Sequence, residues 1–124
     1  MKFYQCAHCG NLAVKLHDSG VSMVCCGHPM QEVTPGMVEA STEKHLPLAT
    51  RNGAEAHVQV GLESHPMSHK HHIRWILLET DRGVAIRFLP PEGEPAATFP
   101  LAEEEVLTAV YADCNLHGLW ETPL

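Results

Sequence analysis

Apolar and polar positions alternate along several short stretches of this 124-residue chain. Val58 and Val60 alternate with His57 and Gln59, and the pattern stops at Gly61, which predicts a strand with one buried face and puts His57 toward solvent. Residues 72–80 are rich in β-branched and aromatic types, and residues 83–89 alternate more weakly around Val84, Ile86 and Phe88. Pro90, Pro91 and Pro95 mark the turn that follows. Residues 103–111 fit two descriptions: Glu103-Glu104-Glu105 suits a helix start, while Val106 to Tyr111 also tolerates a strand. Short strands with a turn signal about every ten residues favour a β-sandwich.

The first 34 residues stand apart from this pattern. A unit of about 35 residues buries too little apolar surface to fold alone and needs a metal or disulfide staple. Pro35-Gly36 and the polar run Glu39-Ala40-Ser41-Thr42 read as a linker, which divides the chain into units 1–34 and 35–124.

Composition narrows the function classes. An apolar share of 44% and a charged share of 19% describe an ordinary globular chain. The net charge of −7 argues against nucleic-acid and anionic-membrane partners. No apolar run approaches the roughly 20 residues that span a bilayer. The start, Met1-Lys2-Phe3-Tyr4-Gln5-Cys6, has no apolar signal region, so a cytoplasmic location is expected.

Four of the five cysteines lie within the first 26 residues. In a reducing compartment such a cluster points to a metal site more than to disulfides. Cys6-x-x-Cys9 is a metal knuckle, because two residues of turn bring both sulfurs to one edge of a tetrahedron. Cys25 and Cys26 complete the set of four, but neighbouring side chains tend to diverge, so this pair should distort the tetrahedron. His8, His17 and His28 lie in the same unit; four thiolates already fill a tetrahedral shell, so these three read as surface histidines.

Cys114 stands alone, three residues before His117. Upstream lie His45, after Glu43 and Lys44, and a stretch containing His65, His69, His71 and His72. One cysteine with several histidines is the wrong set for structural zinc and suits a redox iron with an axial thiolate. A strand beginning at this stretch would put His71, Ile73 and Trp75 on one face and His72 on the other.

These words occur together in one known family. Glu-Lys-His (43–45), His-Pro-Met-x-x-x-His-x-Ile-x-Trp-Ile (65–76), Tyr-x-x-Cys-Asn-Leu-His-Gly-x-Trp (111–120) and the N-terminal Cys-x-x-Cys…Cys-Cys block resemble the desulfoferrodoxins, the two-iron superoxide reductases. The resemblance covers nearly the whole chain and implies an all-β fold: a small desulforedoxin-like domain over 1–34, then an immunoglobulin-like β-sandwich over 35–124. It favours a strand for residues 103–111. It implies two irons per chain, an Fe(Cys)4 centre on Cys6, Cys9, Cys25 and Cys26, where zinc could substitute, and an Fe(His)4(Cys) centre on His45, His65, His71, His117 and Cys114. Lys44 and Glu43 are implied at the open iron position, where superoxide is reduced to peroxide. A rubredoxin-like electron donor and a homodimer are further implications. The chain departs from the pattern at Asp113, where an aromatic residue is frequent and which would add negative charge beside the thiolate, and in a tail, Glu121-Thr122-Pro123-Leu124, without a basic residue after Trp120.

Two other readings use only the cysteines: a rubredoxin-type electron-transfer or iron-binding protein, and a zinc-ribbon interaction module. Neither accounts for the histidines.

Overall fold

The computed structural model describes residues 1–38 and 44–124, so Glu39–Thr42 of the expected linker and Glu43 lie outside the described residues. Every regular element among the described residues is a β-strand, and no helix is long and apolar enough to cross a membrane. Two compact units are present, Met1–Thr34 and Pro35–Leu124.

In the first unit, β1 (Phe3–Gln5) is the centre of an antiparallel sheet between β2 (Leu12–Val14) and β5 (Gln31–Val33). A separate hairpin joins β3 (Val24–Cys25) to β4 (His28–Pro29). Only Phe3 and Cys6 are buried here among the described residues, while Leu16, Val21 and Val24 are exposed. One phenylalanine is not a core, so this unit depends on whatever its cysteines hold.

The second unit is an immunoglobulin-like sandwich. One sheet has the order β10 (Ala96–Pro100), β7 (Glu55–Val60), β6 (Pro47–Asn52). The other has the order β12 (Gly118–Pro123), β11 (Leu107–Cys114), β8 (Ile73–Thr80), β9 (Gly83–Phe88). All these pairings are antiparallel. Ala56, Val58, Val60 and Phe99 from the first sheet meet Ile73, Ile76, Leu78, Val110, Ala112 and Cys114 from the second in one buried cluster. His57 points outward and meets Thr98 Oγ1 across the strand pair at 3.1 Å, as the alternation requires.

Three sequence expectations need correction. The strand expected over 103–111 begins only at Leu107 and runs to Cys114. Glu103 and Glu104 form a turn in which Glu104 has φ 62°. The Glu105 carboxylate closes it, accepting hydrogen bonds from Ala102 N at 2.8 Å and Thr80 Oγ1 at 2.7 Å. A side chain here does the work of a backbone ladder.

Ile73 and Trp75 do not share a face. The register steps from Asp113↔Trp75 to Cys114↔Ile73, leaving Arg74 as the extra residue of a β-bulge. The bulge reverses parity, so Ile73 joins Ile76 and Leu78 in the core cluster while Trp75 is half-buried outside it.

Gly36 is not linker. It forms a parallel bridge to Trp120, its N–H donating to Leu119 O and its carbonyl accepting from Glu121 N, both at 2.9 Å.

Candidate metal centres

The four cysteines of the first unit converge, their sulfurs all within 4.8 Å of one another. Four sulfurs each about 2.3 Å from a central ion would lie about 3.8 Å apart. Cys9 and Cys25 are separated by 3.6 Å, and Cys25 and Cys26 by 4.0 Å. In the knuckle, Gly10 N donates to Cys6 O at 3.0 Å, and Cys9 N donates to Cys6 Sγ at 3.4 Å. The backbone N–H groups of Cys9 and His8 lower the Cys6 thiol to about 6. Hydrogen bonding to the Cys9 and Cys6 sulfurs, followed by desolvation, pushes the Cys26 thiol up to about 12. Sulfurs this close resist joint ionisation without a cation among them, which is what a metal supplies.

The vicinal pair has a specific solution. Cys26 and Gly27 are the central residues of the β3–β4 turn, with φ 52° and 77°, the pattern of a type I′ hairpin. The left-handed backbone at Cys26 lets both sulfurs meet the same site, at a conformational cost of about 1–2 kcal/mol. His8, His17 and His28 are exposed and stand outside the cysteine group.

The histidine-bearing positions gather at one end of the sandwich. His45 precedes β6, His65 follows β7, His71 precedes β8, Cys114 ends β11 and His117 sits in the turn before β12. Antiparallel neighbours place the starts of β6, β8 and β12 beside the ends of β7 and β11. Donor atoms of His45, His65, His71 and Cys114 lie within 4.8 Å of one another.

His117 lies outside that group of four donors, but its ring abuts those of His45 and His71. Ring centroids run His45–His65 4.9 Å, His65–His71 4.7 Å, His71–His117 5.0 Å and His117–His45 4.9 Å. Three of these four neighbouring pairs are within 10° of perpendicular, at 82°, 80° and 82°. The four rings therefore close a circuit of nearly equal edges, a square in outline. His45 Nε2 and His117 Nδ1 are 3.0 Å apart, the separation of two nitrogens held at right angles about 2.1 Å from one ion. Cys114 Sγ lies 3.8 Å from His117 Nδ1. His45, His65 and Cys114 are buried, His71 is half-buried and His117 is exposed, so the site opens on the His117 side.

Surrounding groups hold the donors in place. The Pro66 carbonyl lies 2.7 Å from His65 Nδ1, which leaves Nε2 for the site. The Met67 thioether accepts Ile73 N at 3.3 Å. His72 turns away from the square and bonds Ser68 O through Nδ1 at 2.9 Å, while exposed His69 faces Glu92. Asn115 ties the loop carrying His71 to the one carrying Cys114, and Trp120 stacks on His45. The sequence held a signal for both residues, in Cys-Asn-Leu-His-Gly-x-Trp, but no clue to their partners. Lys44 is half-buried beside His45 and also engaged.

The donor sets differ as their chemistry requires. Four thiolates suit a tetrahedral iron or zinc; three imidazoles and one thiolate, with the His117 ring beside them, suit a redox iron. The two groups match the two iron centres of desulfoferrodoxins.

Comparison with known proteins gives the same correspondence. The family model for Desulfoferrodoxin matches residues 37–123, and that for its N-terminal domain matches residues 1–33. The Desulfoferrodoxin of Nitratidesulfovibrio vulgaris is 39% identical over 97% of this chain and 94% of its own length. A Desulfoferrodoxin homolog of Archaeoglobus fulgidus is 37% identical over 98% of this chain and 96% of its own. Among solved structures, the superoxide reductase from Treponema pallidum aligns with a TM-score of 0.82 and 31% identity, covering 98% of this chain and 96% of that one. The superoxide reductase (1Fe-SOR) from Giardia intestinalis aligns at 0.57 and 32% identity, covering 67% and 98%. With both family domains matched in order and relatives alike over almost its full length, the chain belongs to the desulfoferrodoxin family.

Proposed function

We propose that the chain is a superoxide reductase whose domain over 35–124 carries out the reaction and whose domain over 1–34 holds the Fe(Cys)4 centre. The observation that carries this reading is the square of His45, His65, His71 and His117 with Cys114 beside it. Superoxide would take one electron and two protons to give hydrogen peroxide, and an external rubredoxin-like carrier would return the electron. The structure of a superoxide reductase that aligns over nearly the whole chain supports the assignment. The gathering of Cys6, Cys9, Cys25 and Cys26 into one thiolate group supports a reducing, cytoplasmic setting.

Iron held by His45, His65, His71, His117 and Cys114 would supply the one-electron couple. The chain's own residues then prepare the site. Burial of Cys114 and of the rings of His45 and His65 keeps bulk water from three donors, and the Pro66 carbonyl sets which nitrogen His65 presents. The exposed edge at His117 admits a small anion. Lys44, which precedes His45, is proposed on the resemblance as the positive charge that draws in the anion, against a chain of net charge −7. Glu43 is proposed as the acidic neighbour of the open position on the resemblance alone. A homodimer is likewise the family's arrangement.

Cys114→Ser tests the assignment. A soft thiolate gives way to a mostly protonated hydroxyl. Superoxide reduction and the thiolate-to-iron absorption of the histidine centre should both disappear, while the Fe(Cys)4 spectrum persists. Near-normal peroxide production would remove Cys114 from the mechanism and leave the Fe(Cys)4 unit, of rubredoxin type, as the functional part.

A further inference from the structure

We propose that Trp120 is a positioning residue of the histidine centre, holding His45 and His117 to each other, and that residue 36 is glycine because that indole occupies the space of its side chain. The inference rests on the histidine centre proposed above.

Three contacts converge on one side chain. The His45 ring stacks on Trp120 at 4.5 Å with an interplanar angle of 11°. The Trp120 Nε1–H donates to the His117 carbonyl at 3.2 Å. A Cβ at Gly36 would lie 2.7 Å from Cε3, 2.8 Å from Cζ3 and 3.0 Å from Cδ2 of the same indole.

Gly36 lies outside the left-handed region that explains most of the other glycines, so its requirement is steric. Its backbone cannot retreat, since both its N–H and its carbonyl are bonded to the strand carrying Trp120. An added methyl must therefore push the indole. A displaced indole moves His45 through the stack and His117 through the carbonyl tether. Those two rings present Nε2 and Nδ1 only 3.0 Å apart, so a small shift opens one corner of the square.

The test uses the full chain reconstituted with iron. It follows the rate at which a chelator strips iron from the histidine centre, read from the thiolate-to-iron band, with the Fe(Cys)4 spectrum as internal reference. Trp120→Leu, which loses both stack and tether, should weaken iron retention by about 10–100-fold, the usual cost of losing support to a metal ligand. Trp120→Phe keeps an aromatic stack without the tether and should fall between Trp120→Leu and the unchanged chain. Gly36→Ala should resemble Trp120→Leu. In the Trp120→Leu background, Gly36→Ala should cost nothing more, because the ring it strikes is gone. That comparison stays informative if Gly36→Ala alone does not fold. Wild-type retention in Trp120→Leu, or an equal further loss from Gly36→Ala in both backgrounds, would overturn the proposal. Absence of a histidine-centre band in the unchanged chain would instead refute the underlying iron centre.

Discussion

Arg74 donates its Nε–H to Asp113 Oδ2 at 2.6 Å, next to the strand position of Cys114. The Asp113 side chain is 3% exposed and that of Arg74 is 48% exposed. The negative charge expected beside the thiolate is therefore paired, by the residue that the β-bulge sets free. The neighbouring carboxylate raises the Arg74 pKa above its usual value, so the guanidinium stays charged at any working pH. Arg74→Ala should destabilise the sandwich by about 1–3 kcal/mol, because a buried carboxylate loses its partner; the half-exposed arginine keeps this below the cost of a fully buried pair. Adding Asp113→Asn should recover most of that loss. Denaturant unfolding of both singles and the double measures the coupling, and simple additivity would refute it.

Asn115 acts as a clasp. Its Oδ1 accepts from His72 N at 2.9 Å, its Nδ2 donates to Lys70 O at 3.0 Å and its backbone N donates to His72 O at 3.1 Å. His71 lies between the two clasped residues. Asn115→Ala should cost about 1 kcal/mol, chiefly through the half-buried His72 N–H left unbonded, since the exposed Lys70 carbonyl can turn to water. It should also raise hydrogen exchange in residues 68–72 more than in β7. Unchanged exchange in that loop would show that the clasp is dispensable.

Removing the metal from the cysteine centre should unfold the first unit alone. Its buried residues are Phe3 and Cys6, too few to offset chain entropy. Cys26→Ser should abolish or alter the Fe(Cys)4 spectrum and open residues 1–34 to limited proteolysis. Superoxide reduction by pre-reduced protein should survive, since the histidine-centre donors belong to the other unit. Loss of the fast reaction would mean that the two centres are obligatorily coupled.

Lys44→Ala should slow the bimolecular reaction with superoxide while leaving the iron spectrum unchanged. Local positive potential raises anion capture by roughly 10–10³-fold, and salt screens it. Pulse radiolysis across ionic strength should find the unchanged chain slowing with salt and the variant slower with a flatter slope. Gly61→Ala should disturb the same residue by a different route. Gly61 has φ +87°, and a Cβ there would strike the Glu63 carbonyl and come within 2.8 Å of Lys44 O. Its rate should fall together with stability, whereas Lys44→Ala should leave stability nearly intact. Equal rates and salt slopes for the unchanged chain and Lys44→Ala would return Lys44 to a loop charge.

Residue type and local spacing were enough to identify the donor chemistries. Four clustered cysteines and a separate cysteine among histidines imply two kinds of metal site, because thiolate and imidazole content decides what an ion finds there. Alternation at 57–60 was enough to turn His57 outward, since strand parity is a local property. Tertiary structure alone decided the rest. His45 and His117 are 72 residues apart, and only the pairing of distant strand ends brings their nitrogens together. A bulge at Arg74 reversed the parity expected for Trp75 and left Arg74 beside Asp113, because one inserted residue flips every side chain beyond it. Cys26 reaches its site through a left-handed backbone that no spacing rule requires of a cysteine. Gly36 looked like linker because its neighbour is an indole 84 positions onward, and sequence order carries no record of such a contact.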